Sequence, residues 1–232
     1  MRDSLQTEGQ QAPELPKLEV GIRLLDVEGD DRATGPLHSL VLDHLLLNSG
    51  SAVWVDAGGH AVTQSLSSVA PSMRTLDRIQ VARAFTSHQH YQLIREVAEE
   101  IDEDTSLLVC PAFDQFYREA ETYTDEGDDL LLRALATVAR LADKYEIPIL
   151  MTREKDDSFS GPIAAAAEET IRCEQTKFGP RFVGDDFETL VYPMENGMVQ
   201  TTLAFWKHVL EARVRATETT ATPQGVSVDG AY

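Results

Sequence analysis

Apolar residues recur along the chain with periods of about two and about 3.6 in turn, a pattern that predicts strands alternating with helices. Val20–Val27 reads as a strand, and GDDRATG (Gly29–Gly35) as a turn by composition. Pro36 suits the first turn of a helix, and Leu37, Leu40, Val41, His44, Leu45 and Leu47 give that helix a broad apolar face. Ala52–Asp56 is a short apolar run of the buried parallel-strand kind, ended by Gly58–Gly59. A short helix over Ala61–Val69, a strand over Arg78–Ala84 and a helix over His88–Glu103 follow, then a buried strand at Leu107–Cys110 stopped by Pro111. Phe116–Asp129 is acidic and reads as a loop; Leu130–Tyr145 is an amphipathic helix, and Ile147–Met151 a strand. Arg153–Glu169 is a polar, Ala-rich excursion. Thr170–Gln175, Arg181–Val183 and Thr189–Tyr192 form a small antiparallel run at one edge, Gly197 turns the chain into Met198–Thr201, and Leu203–Arg215 is a final helix.

Strands alternating with helices predict an α/β fold, with a mostly parallel central sheet flanked by helices and a C-terminal antiparallel extension. Three stretches are expected: a flexible segment over 1–18, one core domain over 19–216, and a disordered tail over 217–232. There is no internal repeat.

Charge changes this picture more than bulk composition does. Hydrophobic content of 42% is ordinary, but the formal net charge is -19, and the 20 basic residues comprise five Lys and fifteen Arg. Such an acidic excess suits a protein kept soluble in high salt, where screening blunts self-repulsion, and opposes passive attraction to nucleic-acid phosphates at low salt. Cys110 and Cys173 stand alone in apolar strand patterns, as reduced core residues do. The N-terminus carries no signal-peptide core and no apolar run reaches bilayer length, so a cytoplasmic, non-membrane protein is expected.

The chemistry of the first turn is telling. A phosphate-binding GxxxxGK[ST] loop uses backbone N–H groups, a Lys for the β/γ oxygens and a hydroxyl for Mg²⁺. Here GDDRATGPL spaces Gly29 and Gly35 slightly too far, puts Pro36 in place of Lys and Leu37 in place of Ser/Thr, and adds Asp30 and Asp31 that would repel a triphosphate. His88 and His90 read as a polar helix start rather than a metal pair, Asp56 as a strand-end cap rather than half of a carboxylate pair with Asp114, and Cys110 as an inert buried thiol. No metal site is expected.

Longer segments resemble the RecA/RadA recombinase superfamily, most closely archaeal RadA, over roughly Val20 to Trp206. AVWVDAGG (Ala52–Gly59) is similar to the family's strand ending in Asp-Thr-Glu-Gly, and RIQVARAFTSHQHYQLI (Arg78–Ile94) to its ARAFNSxHQ segment, the most specific match. LLVCPAFDQFYR (Leu107–Arg118) occupies the Walker B strand and the start of the first DNA-binding loop. LATVARLADKYEIPILMTRE (Leu135–Glu154) resembles the helix and strand that end in Thr-Asn-Gln, and DSFSGP (Asp157–Pro162) falls in the second DNA-binding loop. TIRCEQTKFGPRFV (Thr170–Val183) resembles the terminal strands.

This resemblance implies a RecA-like P-loop NTPase core, but one departing from the family at each catalytic position. Pro36 and Leu37 replace the Walker A Lys and Ser/Thr, Pro111 the Walker B Asp, Gly58 the water-polarising Glu and Glu154 the phosphate-sensing Gln. Gly29, Gly35, Pro36, Leu37, Gly58, Pro111 and Glu154 are thus expected to form a degenerate nucleotide pocket that neither binds ATP and Mg²⁺ nor hydrolyses ATP. Arg118, Arg153, Lys155 and Phe159 are the candidate contacts for DNA or a partner, although the first loop (Glu119–Asp129) is predominantly acidic, the second sets Arg153 and Lys155 among Glu154, Asp156, Asp157, Glu168 and Glu169, and Phe159 also reads as an apolar anchor. The expected role is that of a non-catalytic RadA-like paralog from a salt-loving archaeon, an accessory protein of recombination or repair that binds RadA or another RecA-family subunit. A nucleotide-independent single-stranded-DNA module, a residual nucleotide-binding enzyme with an atypical pocket and a regulator of another pathway stand as alternatives, and self-association stays open. The family's Phe-x-x-Ala tether and its preceding helix-hairpin-helix domain are not found in this sequence.

Overall fold

The computed structural model describes residues 15–28, 34–124, 126–176, 179–185, 187–189 and 202–220. Its first half contains β1 (Gly21–Val27), α1 (Thr34–Leu47), β2 (Ser51–Asp56), α2 (Thr63–Val69), α3 (Met73–Leu76), β3 (Ile79–Arg83), α4 (Ser87–Glu100) and β4 (Thr105–Cys110). The second half contains α5 (Gln115–Thr124), α6 (Gly127–Tyr145), β5 (Pro148–Met151), α7 (Gly161–Ala166), β6 (Glu169–Thr176), β7 (Gly179–Val183) and α8 (Thr202–Thr220). The strands form one sheet in the order β3-β2-β4-β5-β1-β6-β7. Every neighbouring pair is parallel except β6 with β7. This is the α/β architecture that the alternating pattern predicts.

Alternation within each strand sends successive side chains to opposite faces and builds two cores. Trp54, Leu107, Val109 and Leu150 join Leu37, Leu40 and Val41 of α1 and Trp206 of α8 on one face. Val53, Val55, Leu108, Cys110, Ile149 and Met151 join Ile94 and Val97 of α4 and Leu131 and Val138 of α6 on the other. The innermost strands are apolar on both faces because helices cover both, which explains why AVWVD, LLVC and PILM read as unbroken apolar runs.

Several elements differ from the sequence expectation. The acidic stretch 116–129 is not a loop: α5 occupies most of it, with Tyr117 fully buried, and α6 starts at Gly127. Glu119, Asp128 and Asp129 stand at exposed helix positions, and such acids mask the buried Tyr117. The excursion 153–169 holds the short helix α7, on which Ile163 is buried. β6 is parallel to β1, so only its pairing with β7 is antiparallel. Beyond β7, Glu188 makes an isolated antiparallel bridge with Val183; positions 190–201, which include most of the expected strand Thr189–Tyr192 and the stretch Met198–Thr201, lie outside the described residues. Leu15 is buried in the first core, ahead of the expected boundary at 19, and α8 runs to Thr220, past the expected start of the tail. Among the described residues no helix is long and apolar enough to cross a membrane.

Trp206 makes a direct check on how α8 is seated. It is fully buried, with its ring centroid 5.2 Å from that of Phe182 on β7. Trp206→Ala is expected to cost about 3–5 kcal/mol, the usual range for deleting a buried aromatic, as a lowered urea midpoint with an unchanged slope. A shift under about 1 kcal/mol would show that α8 does not pack there in solution.

Candidate functional site

In parallel sheets ligands bind beyond the carboxyl ends of the strands, so the ends of β1, β2, β4 and β5 are where chemistry would occur. Each is built from residues that the sequence had singled out, and each is filled differently.

At the end of β1, Gly29 and the acids that follow it lie outside the described residues. The start of α1 is packed from below and from the side. Pro36 and Leu37 are buried, and Leu37 belongs to the same cluster as Leu25, Trp54 and Trp206. A Cβ added to Gly35 would lie 3.3 Å from Nε1 of Trp206. The ring of His38 stands edge-on to Trp54, and its Nε2–H donates to the carbonyl of His60 at 2.8 Å. Burial pushes His38 down to about 4, so it is neutral at pH 7. There is no Lys or Arg in the sequence of α1, and hence no cation of that helix to meet a phosphate.

At the end of β2, Asp56 is fully buried and its acceptor capacity is taken up locally. Oδ1 accepts from the backbone N–H groups of His60 (2.9 Å) and Ala61 (3.1 Å), while Oδ2 accepts from Nε of Arg83 at 2.8 Å. Asp56 thus caps the turn Ala57–Ala61 and clamps it to β3. Within that turn Gly58 has φ of +75°, a left-handed conformation in which a glycine is favoured over any residue with a Cβ.

The ends of β4 and β5 are laced together. Pro111 is buried, Ala112 adopts φ of +43°, and the Ala112 N–H donates to Oγ1 of Thr152 at 2.8 Å. The Phe113 N–H donates to the Thr152 carbonyl at 2.9 Å. Asp114, fully buried, accepts from the Glu154 N–H through Oδ1 at 2.7 Å and from Nε of Arg118 through Oδ2. The Glu154 side chain itself is exposed. Asp56 and Asp114 each serve a separate set of donors, and neither is arranged as one half of an acid–base pair.

The four candidate contact residues have different fates. Arg118 forks onto Asp157 (2.8 and 2.7 Å) and lies over the Phe159 ring, 4.9 Å from its centroid. Arg153, whose side chain is 7% exposed, makes a two-point pair with Asp26 of β1 and a 2.7 Å pair with Asp156. Lys155 is exposed. Arg118, Phe159 and Arg153 are therefore packed against their own loop and sheet. Asp26, Asp114 and Asp157, the partners that fix them, were not recognisable as such. The only sequence signal was the i,i+4 spacing of Asp114 and Arg118 at a helix start.

Below this edge His90 sits in an aromatic enclosure. It is fully buried, its Nδ1 is 2.8 Å from the Tyr117 hydroxyl, and the Phe113 ring meets it edge-on at 5.2 Å. Among the described residues its Nε2 has no hydrogen-bond partner, and burial pushes its pKa down to about 4. His88, by contrast, is exposed, so the two histidines do not converge on one point. Thr86 caps α4 by accepting from the Gln89 N–H at 3.2 Å. Among the described residues no group of three or more His, Cys, Asp or Glu is arranged to hold a metal ion.

The family model described as Rad51 matches residues 44–173, more than half of the 232-residue chain. The matched segment begins inside α1, after Pro36 and Leu37, and ends in β6.

The buried histidines give the fold a pH dependence of definite sign. His38 and His90 titrate near 4 when folded and near 6.5 in the unfolded chain, so between these values the unfolded state binds more protons. Their contribution is complete above pH 6.5 and is lost as pH falls toward 4, by at most about 1.4 kcal/mol per pH unit for each. The urea midpoint of His90→Phe is expected to fall less than that of the parent between pH 7 and pH 5. Equal falls would show that His90 is not held neutral.

Proposed function

The chain belongs to the Rad51 family, within the RecA/RadA superfamily, and from this membership we propose that it is a non-catalytic paralog that acts as an accessory protein of recombination or repair by contacting a RecA-family recombinase subunit. Members of this family are usually ATPases. What supports a different role here is the occupancy of the carboxyl edge by the chain's own side chains. The start of α1 presents buried Pro36 and Leu37, the turn after β2 presents Gly58, and the end of β4 presents buried Pro111. Phosphoryl transfer draws its acceleration from a Lys, a metal and an oriented water. None of these positions carries a side chain that could supply one of them. The family match starting beyond Pro36–Leu37 agrees with this reading.

A route for protein contact is available at the opposite edge of the site. β3 ends the sheet, and among the described strands it pairs only with β2. An unpaired edge offers backbone donors and acceptors to an incoming segment. Val81 is 47% exposed there, and Phe85 just beyond it is 69% exposed. Large apolar groups at an open edge suit a partner more than they suit water. The single-stranded-DNA reading draws less support, because Arg118 and Arg153 are committed to carboxylates. The net charge of -19 fits a salt-rich cytoplasm, which we include in the proposal.

The test is a pull-down and a binding titration against the recombinase of the same cell, in molar salt. Saturable binding is expected, weakened about tenfold or more by Phe85→Asp, which removes an exposed anchor without disturbing the core. Absence of any interaction with the recombinase would contradict the proposal.

A further inference from the structure

The loop 153–160 is held to three neighbouring strand ends by ion pairs of unequal burial. β4, β5 and β1 are adjacent in the sheet. Asp114 follows β4, Arg153 follows β5, and Asp26 lies on β1. Arg153 ties the ends of β5 and β1 through Asp26 and holds the loop through Asp156. Arg118, on α5, ties Asp114 to the loop through Asp157 and also donates to the Lys155 carbonyl at 3.2 Å. Inside the loop the Asp157 carboxylate accepts from the Phe159 N–H (3.1 Å) and the Ser160 N–H (3.3 Å), and the fully buried Ser160 donates its hydroxyl to the Lys155 carbonyl at 2.6 Å. Phe159 packs under the Arg118 guanidinium and against the second core.

We infer that this constellation is a clasp, a lid locked by the chain's own charges in which Arg118 is the shared pin, so that the loop leaves the strand ends as one cooperative unit or not at all. The reason is connectivity. Asp114, Asp157, the Lys155 carbonyl and the Phe159 ring all meet Arg118, whereas no two of them are held together without either Arg118 or the loop's own turn. A planar guanidinium can satisfy several acceptors at fixed angles while stacking on a ring; an ammonium cannot. Loss of the fork therefore frees Asp157, the Lys155 carbonyl and the Phe159 ring together, and the clasp requires the remaining ties, the Glu154 N–H to Asp114 and Arg153 to Asp156, to give way with them. Any ligand approaching the Pro111–Asp114 segment would have to wait for that release. The clasp is built from this chain's own side chains and backbone, which sets it apart from the accessory role proposed above and makes it testable on its own.

Amide hydrogen exchange followed by NMR tests it. In the parent protein the Glu154, Phe159 and Ser160 amides are expected to exchange at rates reporting one common opening. In Arg118→Lys all three should accelerate together by about tenfold or more, while the β5 amides between Pro148 and Met151 keep their protection. Asp157→Asn, at a side chain 41% exposed, supplies the same test without loss of the buried Asp114 partner should Arg118→Lys fail to fold. Acceleration of Phe159 and Ser160 with Glu154 unmoved in Arg118→Lys, or no acceleration in either variant, would overturn the cooperative clasp.

Discussion

Charge buried at the sheet's carboxyl ends has to be answered from within the protein. Asp56 and Asp114 are fully buried, and the Arg153 side chain is nearly so. An isolated ion in such surroundings costs several kcal/mol, and removing one partner of a buried pair typically costs about 3–5 kcal/mol. Each of these groups accordingly has partners with well-formed geometry: Arg83 and two backbone amides for Asp56, Arg118 and the Glu154 amide for Asp114, Asp26 for Arg153. The turns after β2 and β4 are thereby closed over the chain's own side chains. On α1 the same rule operates away from the site, where buried Asp43 is met at 2.8 Å by Arg213 of α8.

Buried neutral groups complete the arrangement. His38 and His90 lie beneath the ends of the sheet, uncharged because burial disfavours the imidazolium. His38 buttresses the turn after β2 through the His60 carbonyl, and His90 holds the Tyr117 hydroxyl of α5. Burial likewise pushes the Cys110 thiol up, leaving it protonated and inert on β4. Among the described residues, the buried charges of this edge are internally paired, while the Glu154 and Lys155 side chains are exposed. That leaves exposed apolar groups at β3 as the more accessible chemistry.

Much of the fold could be read in the sequence because the strands of this sheet are short, apolar and separated by amphipathic helices. AVWVD, LLVC and PILM announce themselves, and so does the face of Leu131, Leu135 and Val138 on α6. The helix α5 did not, since the acids around the buried Tyr117 read as a loop by composition. The parallel course of β6 was equally hidden: strand direction depends on a crossover through α7, and Gly161–Ala166 is too short and too Ala-rich to read as a connecting helix. For the site, the identities of Pro36, Leu37, Gly58, Pro111 and Glu154 were legible, but the partners of Arg118 and Arg153 were not. Asp26 is 127 residues from Arg153 and Asp157 is 39 from Arg118, distances at which no local pattern forms.

We propose that this member of the Rad51 family keeps the fold and does without the nucleotide. Isothermal titration with ATP and Mg²⁺, paired with phosphate release from the same sample, tests it most directly. The account predicts no saturable heat at millimolar nucleotide and no phosphate above the uncatalysed rate. Micromolar, Mg²⁺-dependent binding with turnover would contradict it.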